Sequence, residues 1–450
     1  MTEATLRGQP KILDLSDFLA NRKFNRFHTT LIILSCLVTF FDGVDFGLIA
    51  YVAPYIRDEL HLTSDEIGLV FSSSIVGQIV GALICTYIAD RIGRRPVIIV
   101  CTVLASLLTI AMGLSTSFEQ LLIVRLLGGM TIGGLLPVAW ALNIEAMPSA
   151  RRATAVALVM FGFTLGGSFA GPLTNLIAPA YGWEMAFIAA GAMTLLMAII
   201  LVRTLPESAR FLASRSASFE KIAPILQRVD PAFNPSQYEG YVLTDEKRAE
   251  KNFNPVDLFR GPLLFITPFI WGSYFFSSIA AYLGALWGPI FFEQLGMARD
   301  HAALLGASSG LAGAVLSVVL LRFTEIRGPA WVALFPLLAT PFFLLIGVGV
   351  LGPAMLAPVI FTGMVLKYGG HGCVVSIIGL FYPSAIRSNA GGWANAVGKA
   401  GGVLGPIIGA YFVSSADDVL GAYFVLAGCT LLVAVCVFGL SKVVARNIQS

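Results

Sequence analysis

The sequence predicts an all-α membrane protein that crosses the bilayer with twelve transmembrane helices, six in each half. Three observations carry that prediction: an apolar composition, a succession of apolar runs each long enough to span, and a repeat relating the two halves. Of the 450 residues, 57% are hydrophobic and 12% charged, and mean hydropathy is +0.82. Soluble domains carry about 25% charged residues, and one helical crossing needs about 20 mostly apolar residues. The 46 glycines suit such a protein, because small residues let membrane helices approach closely.

The runs place spans at roughly 28–55, 64–88, 96–115, 119–146, 153–179, 184–203, 262–292, 301–322, 329–350, 354–381, 388–413 and 420–441. The chain then divides into a polar tail (1–27), six spans (28–203), a central loop (204–260), six more spans (261–441) and a second tail (442–450). In the loop, SRSASFEKIAPILQRVD and TDEKRAEKN read as short amphipathic or irregular pieces. The repeat sets MPSARRATAVALVMFGFTLGGSFAGP, from Met147, against YPSAIRSNAGGWANAVGKAGGVLGP, from Tyr382. Pro148 answers Pro383, Arg152 answers Arg387, and Gly166 and Gly167 answer Gly401 and Gly402.

Lys and Arg set the orientation, because cytoplasmic loops carry an excess of both. They gather in the tails, the central loop and alternate short turns. Only Arg57 and Arg299 fall on the opposite side, so both termini and the central loop are expected in the cytoplasm of a cell, at its inner membrane. The N-terminus lacks the charged-then-apolar pattern of a signal peptide. Six cysteines without metal-ligand spacing read as reduced thiols, with no metal and no cofactor expected. A net charge of +3 without a basic, aromatic-rich patch gives no sign of nucleic-acid binding.

One stretch stands against the apolar background. FFDGVDFGLIA puts Asp42 and Asp45 near the middle of span 1, three residues apart and so on one helix face. A charge at the bilayer centre costs about 2.5–3.5 kcal/mol on insertion scales. The two carboxyls either hold at least one proton between them or need a cation from another helix. A helix cap at a break beside Gly43, or a fixed ion pair, is the structural alternative.

Three cations lie deep in spans: Arg125, Lys367 and Lys399, in spans 4, 10 and 11. A neutral cargo has no use for three buried cations, whereas an anion does. Arg presents a bidentate fork to a carboxylate and Lys a point charge. Arg125 either meets the cargo or partners the aspartates on a proton path. Lys399 sits in NAVGKAGGVLGP, among glycines that would let cargo approach, with structural pairing as the alternative. Lys367 has His371 one turn on, and either takes part in binding or snorkels or pairs. Span 7 gathers Trp271, Tyr274, Phe275, Phe276, Tyr282 and Trp287, facing lipid or a cargo ring.

The turn after span 2, TYIADRIGRRPV, carries D-R-x-G-R-R and resembles the signature loop of the major facilitator superfamily, with Thr86 where the family usually has Gly. LRFTEIRGP, with Glu325 and Gly328, is a degenerate second copy. RLLGGMTIGG, GFTLGGSFAGP and LPESARFL resemble further motifs of that superfamily. The resemblance implies two six-helix bundles around a central cavity, with Asp90, Arg91, Gly93 and Arg94 at the inner gate.

A closer resemblance lies in DGVD, EAMPSARR, YPSAIRSNAGGW and GKAGGVLGP, which are similar to the aromatic acid:proton symporter branch. It implies a transporter, not an enzyme, that takes up a benzoate or hydroxybenzoate with protons. Asp42 and Asp45 would couple protons. Arg125, Lys399, Lys367 and His371 would meet substrate. Glu145, beside Arg151 and Arg152, and Arg387 would serve gating, Glu145 having a proton role as its alternative. Two positions depart from the branch: Lys399 stands where members usually carry Arg, and Lys367 with His371 where they tend to be neutral. A second acidic group on the cargo would account for the latter. Rival readings are symport of a non-aromatic organic acid (muconate-, shikimate- or sugar-acid-like), a proton-antiport exporter, and a non-transporting sensor. The expected partners are a small carboxylate, protons and the lipid bilayer, with the chain acting as a monomer.

Overall fold

The computed structural model describes residues 11–244, 255–327, 329–376, 382, 387–413 and 415–449. Twelve long helices cross the bilayer. The first six are α1 (Arg26–Leu60), α2 (Ser64–Ile92), α3 (Arg94–Gly113), α4 (Phe118–Ala146), α5 (Arg152–Tyr181) and α6 (Trp183–Thr204). The second six are α7 (Leu263–Leu286), α8 (Arg299–Arg327), α9 (Leu334–Gly347), α10 (Pro353–Ser376), α11 (Arg387–Ala410) and α12 (Ala416–Gln449). Ten of these meet both length and apolarity for a crossing among the described residues. The other two, α10 and α11, have 24 residues each and are diluted by glycines and by Lys367 and Lys399. Twelve crossings bring both chain ends to one face, called here the near face.

Local chemistry sets the boundaries. Asn25 caps α1, and His28 Nδ1 in return accepts from the Asn25 backbone N–H. Thr63 and Glu66 form the same reciprocal cap on α2. At Gly93 the backbone takes φ +110°, which lets α2 turn directly into α3 and which a side chain would resist. The seventh run is two elements: α7 ends at Leu286, and Gly288–Gln294, with Pro289 at its start, is a separate short helix. The ninth run is also shorter than its apolar stretch, since Pro329–Ala333 winds as a tighter 3-10 turn before α9.

The repeat read from the sequence reappears as packing. α1 packs on α5 and α7 on α11; α2 packs on α4 and α8 on α10; α3 packs on α6 and α9 on α12. The halves meet through α2 with α11 and α5 with α8. Gly43 and Gly166 permit the α1–α5 contact, since a Cβ at either would run into the facing backbone.

The hydrophobic cores differ between the two faces. Towards the far face, one continuous core joins both halves, from Leu48, Phe71 and Phe187 to Trp287, Phe343 and Tyr423. Towards the near face the core splits in two, one around Leu31, Val97 and Leu201, the other around Ile270, Val374 and Val437.

The first tail is more than a polar leader. Strand β1 (Lys11–Asp14) pairs in parallel with β2 (Tyr238–Val242) of the central loop. The intervening helix Leu15–Asn21 packs Leu15, Phe18 and Leu19 against Ile222, Leu226 and Val229 of the loop helix Phe219–Val229. Tail and loop thus fold together, which sequence pattern alone did not reveal because their partners lie over two hundred residues apart.

Candidate transport site

The polar residues inside α1 are not equivalent. Asp45 is held: Arg125 Nη1 lies 3.1 Å from its Oδ2, and Thr109 donates to its Oδ1 at 2.7 Å. Arg125 also donates to the backbone carbonyls of Asp45 and Phe46. For Asp45 the structure therefore realises the fixed-ion-pair alternative. Asp42, one turn nearer the start of α1, is only 5% exposed, and its Oδ2 has no hydrogen-bond partner among the described residues. A buried polar atom without a partner is costly.

The second half places its cations differently. Lys399 donates to Gln78 Oε1 of α2 and, at 3.1 Å, to the Tyr282 hydroxyl of α7. This contact bridges the two halves. Phe46 packs edge-on against Tyr282, with ring centroids 6.0 Å apart, and lies 5.7 Å from the Phe163 ring. An ammonium, an amide and three aromatic rings therefore meet between the bundles, beside the carbonyl that Arg125 holds. The glycines around Lys399 do not open space for cargo, as the sequence suggested. Gly401 and Gly405 bring α11 onto the α7 backbone, while Gly398 and Gly402 leave room for the Tyr274 and Tyr282 rings.

Lys367 is 3% exposed and donates to the Ala280 carbonyl at 3.3 Å, with its ammonium 3.8 Å from the Tyr368 ring centroid. His371 Nδ1 shares a 2.8 Å hydrogen bond with Ser277 Oγ. Neither residue touches a carboxylate among the described residues. Snorkelling does not describe Lys367, whose ammonium stays in the protein interior.

At the near face, Arg94 pairs with Asp90 at 3.0 Å and with Glu145 at 2.9 Å. Glu145 also accepts from the Ser208 hydroxyl. It does not pair with Arg151 or Arg152: Arg151 is exposed and Arg152 donates to the Met147 carbonyl. Glu207, from LPESARFL, accepts from the Arg94 and Arg95 amides, placing negative charge at the start of α3 where the helix dipole favours it. A side chain at Gly93 would collide with this carboxylate. Arg215 donates to the Asp90 carbonyl at 2.6 Å. Arg91 stands apart, its guanidinium 4.2 Å from the Tyr87 ring centroid. Arg387 begins α11, and its side chain lies outside the described residues, as do Pro383 and the side chain of Glu325.

At the far face the halves are tied. Arg299 of α8 pairs with Asp58 of α1 and with Glu293, each at 3.1 Å. Asn175 donates to the Asp300 carbonyl at 2.9 Å and Ser72 to the Val403 carbonyl at 3.0 Å, while within the second half Trp287 Nε1 donates to the Pro406 carbonyl at 2.8 Å.

Sequence reading missed Gln78, Thr109, Phe46, Phe163 and Glu207. Gln78 had a signal, as the lone amide in the apolar run SSSIVGQIVGA. Phe46 and Phe163 had none, because one phenylalanine among 32 carries no mark of the direction it faces.

Two pseudo-equivalent six-helix halves, with polar groups buried between them, define a multi-pass membrane transporter. The Major Facilitator Superfamily model matches residues 35–373, and the chain belongs to that family. It is 29% identical to the 4-hydroxybenzoate transporter PcaK of Pseudomonas putida, over 89% of each chain. It is 27% identical to the gallate transporter of the same organism, again over 89% of each. To the benzoate transport protein of Acinetobacter baylyi it is 27% identical, over 89% of this chain and 87% of the relative. In fold it is similar to the xylose transporter XylE of E. coli in an inward open conformation, with TM-score 0.75 and 16% identity, covering 91% and 95% of the two chains. It also resembles a bacterial homolog of the human lysosomal transporter Spinster, with TM-score 0.72 and 17% identity, covering 95% and 99%.

Proposed function

We propose that this chain is a proton-coupled symporter that takes an aromatic carboxylate into the cytoplasm across an inner membrane. The near face is then the cytoplasmic one, as the Lys and Arg distribution suggests, and the tied far face makes this an inward-facing state. The observation that carries the reading is Lys399. It holds an ammonium between the bundles, against Gln78 of the opposite half, with the Phe46, Phe163 and Tyr282 rings beside it. A carboxylate can replace Gln78 at the ammonium while its ring packs on the aromatics. The Gln78 Nε2, which has no partner here, can then donate to the carboxylate. Relatives named for 4-hydroxybenzoate, gallate and benzoate support an aromatic cargo.

Asp42 is the proton carrier in this reading, and Asp45 with Arg125 the fixed element it works against. In the outward-facing state Asp42 takes a proton and cargo docks at Lys399. With the charges offset, the far face closes through Arg299, Asp58 and Asn175. The bundles rock, the near face opens, and cargo and proton leave. Asp90, Arg94, Glu145 and Glu207 brace the first half at that face.

Proteoliposomes loaded against a panel of benzoate, 4-hydroxybenzoate, muconate and aliphatic acids test this. Acid-driven accumulation of the benzoates, with aliphatic acids failing to compete, is expected. Equal uptake of aliphatic acids overturns the aromatic assignment, and accumulation indifferent to the proton gradient overturns symport.

A further inference from the structure

We propose that Lys367, His371 and Ser277 form a second anion-accepting subsite, so that the preferred cargo is an aromatic dicarboxylate. This deepens, and rests on, the reading of Lys399 as the first carboxylate site.

The inference starts from a missing counter-charge. Arg125 and Lys367 are similarly buried, at 2% and 3% exposure. Arg125 has Asp45 within 3.1 Å, whereas Lys367 has no carboxylate within ion-pair distance among the described residues. A lysine ammonium carries three donors. Here one reaches the Ala280 carbonyl, and the Tyr368 ring adds only a π-face. Buried charges are kept where a partner compensates them, and the described residues supply none at Lys367. The partner therefore comes from outside.

The surroundings are shaped for it. Gly284 of α7 faces the ammonium, and a Cβ there would run into Nζ. Ser277 engages His371 Nδ1 and orients the ring. His371 is half-buried and through Ser277 contacts the same stretch of α7, residues 277–282, that carries the Lys367 and Lys399 partners Ala280 and Tyr282. Both also grip α7 at one level, Lys399 through Tyr282 and Lys367 through Ala280. A ring with one carboxylate satisfies Lys399 and leaves Lys367 unbalanced. A ring with two satisfies both.

The test compares benzoate with benzene-1,3- and benzene-1,4-dicarboxylate in purified protein, by ligand-induced thermal shift, and in proteoliposomes. A dicarboxylate is expected to bind at least tenfold more tightly than benzoate. Lys367→Gln should weaken the dicarboxylate at least tenfold and benzoate less than twofold; Lys367→Arg should keep most of the preference, and His371→Gln should lose part of it. Equal losses for both ligands in Lys367→Gln, or benzoate binding as tightly as either dicarboxylate, overturn the subsite. Should Lys367→Gln not fold, the wild-type ratio and Lys367→Arg still decide. Failure of benzoate transport in the wild type would strike the underlying reading instead.

Discussion

The two bundles treat buried charge in opposite ways. In the first, Arg125 finds Asp45 and two backbone carbonyls, Thr109 donates to the same Asp45, and the surplus group is an acid, Asp42. In the second, Lys367 and Lys399 find only neutral partners among the described residues, and the surplus there is positive. A pseudo-symmetric fold has thus been filled asymmetrically. One half is short of a cation and can be completed by a proton. The other is short of an anion and can be completed by a carboxylate. In the function proposed above, coupling is then a matter of electrostatics, each visitor removing the charge that makes its own half costly to enclose.

Substitutions at four positions test this contrast, from the largest effect to the smallest. Asp45→Asn leaves Arg125 buried without its acid, a change that typically costs about 3–5 kcal/mol. A large drop in melting temperature and in yield is expected; wild-type stability would remove Asp45 from its structural role. Asp42→Asn takes away no ion pair, so the protein should fold normally and still exchange labelled for unlabelled cargo in counterflow. Proton-driven accumulation should vanish, and its persistence would break the proposed division of labour. Lys399→Ala removes a charge-assisted hydrogen bond worth about 1.5–3 kcal/mol, so the half-saturation concentration for aromatic acids should rise about 10- to 100-fold. Lys399→Arg should recover much of this, and an unchanged value for the alanine variant would move the cargo elsewhere. Asp58→Asn touches a partly exposed pair at the far face, where such pairs contribute about 0.2–1 kcal/mol. Labelling of a cysteine introduced at the far end of α5 should report a slightly more open far face, with transport changed less than about fivefold.

Much of the architecture was legible because membrane helices announce themselves: each must satisfy its own backbone within the bilayer, so apolar length and polar turns locate it. The half-chain repeat and the short cytoplasmic-type turns followed from Gly, Pro and Arg in register. The candidate charges were legible for the same reason, since Asp42, Asp45, Arg125, Lys367 and Lys399 are conspicuous against an apolar background. Their pairing was not. Asp42 and Asp45 are equivalent by spacing, yet Asp45 meets the α4 arginine and Thr109 of α3, while Asp42 Oδ2 meets no partner among the described residues. Glu145 lies next to Arg151 and Arg152 in sequence but reaches Arg94 and Ser208, as the chain leaves α4 in an extended turn at Met147 and carries those arginines away. The glycines beside Lys399 were seen correctly and explained wrongly, since their empty Cβ positions are filled by α7.

The amino-acid order alone determined how many times this chain crosses the membrane, that its halves repeat, and which ionisable groups sit in oil. Those outcomes depend on composition within short windows and on the cost of burying charge. Only the tertiary structure decided which acid is paired, that Lys399 touches the opposite bundle, that Lys367 meets no counter-charge among the described residues, and that the first tail folds onto the central loop. Each of these depends on the rotational phase of one helix against another, which close packing sets and a linear pattern of apolar residues does not encode.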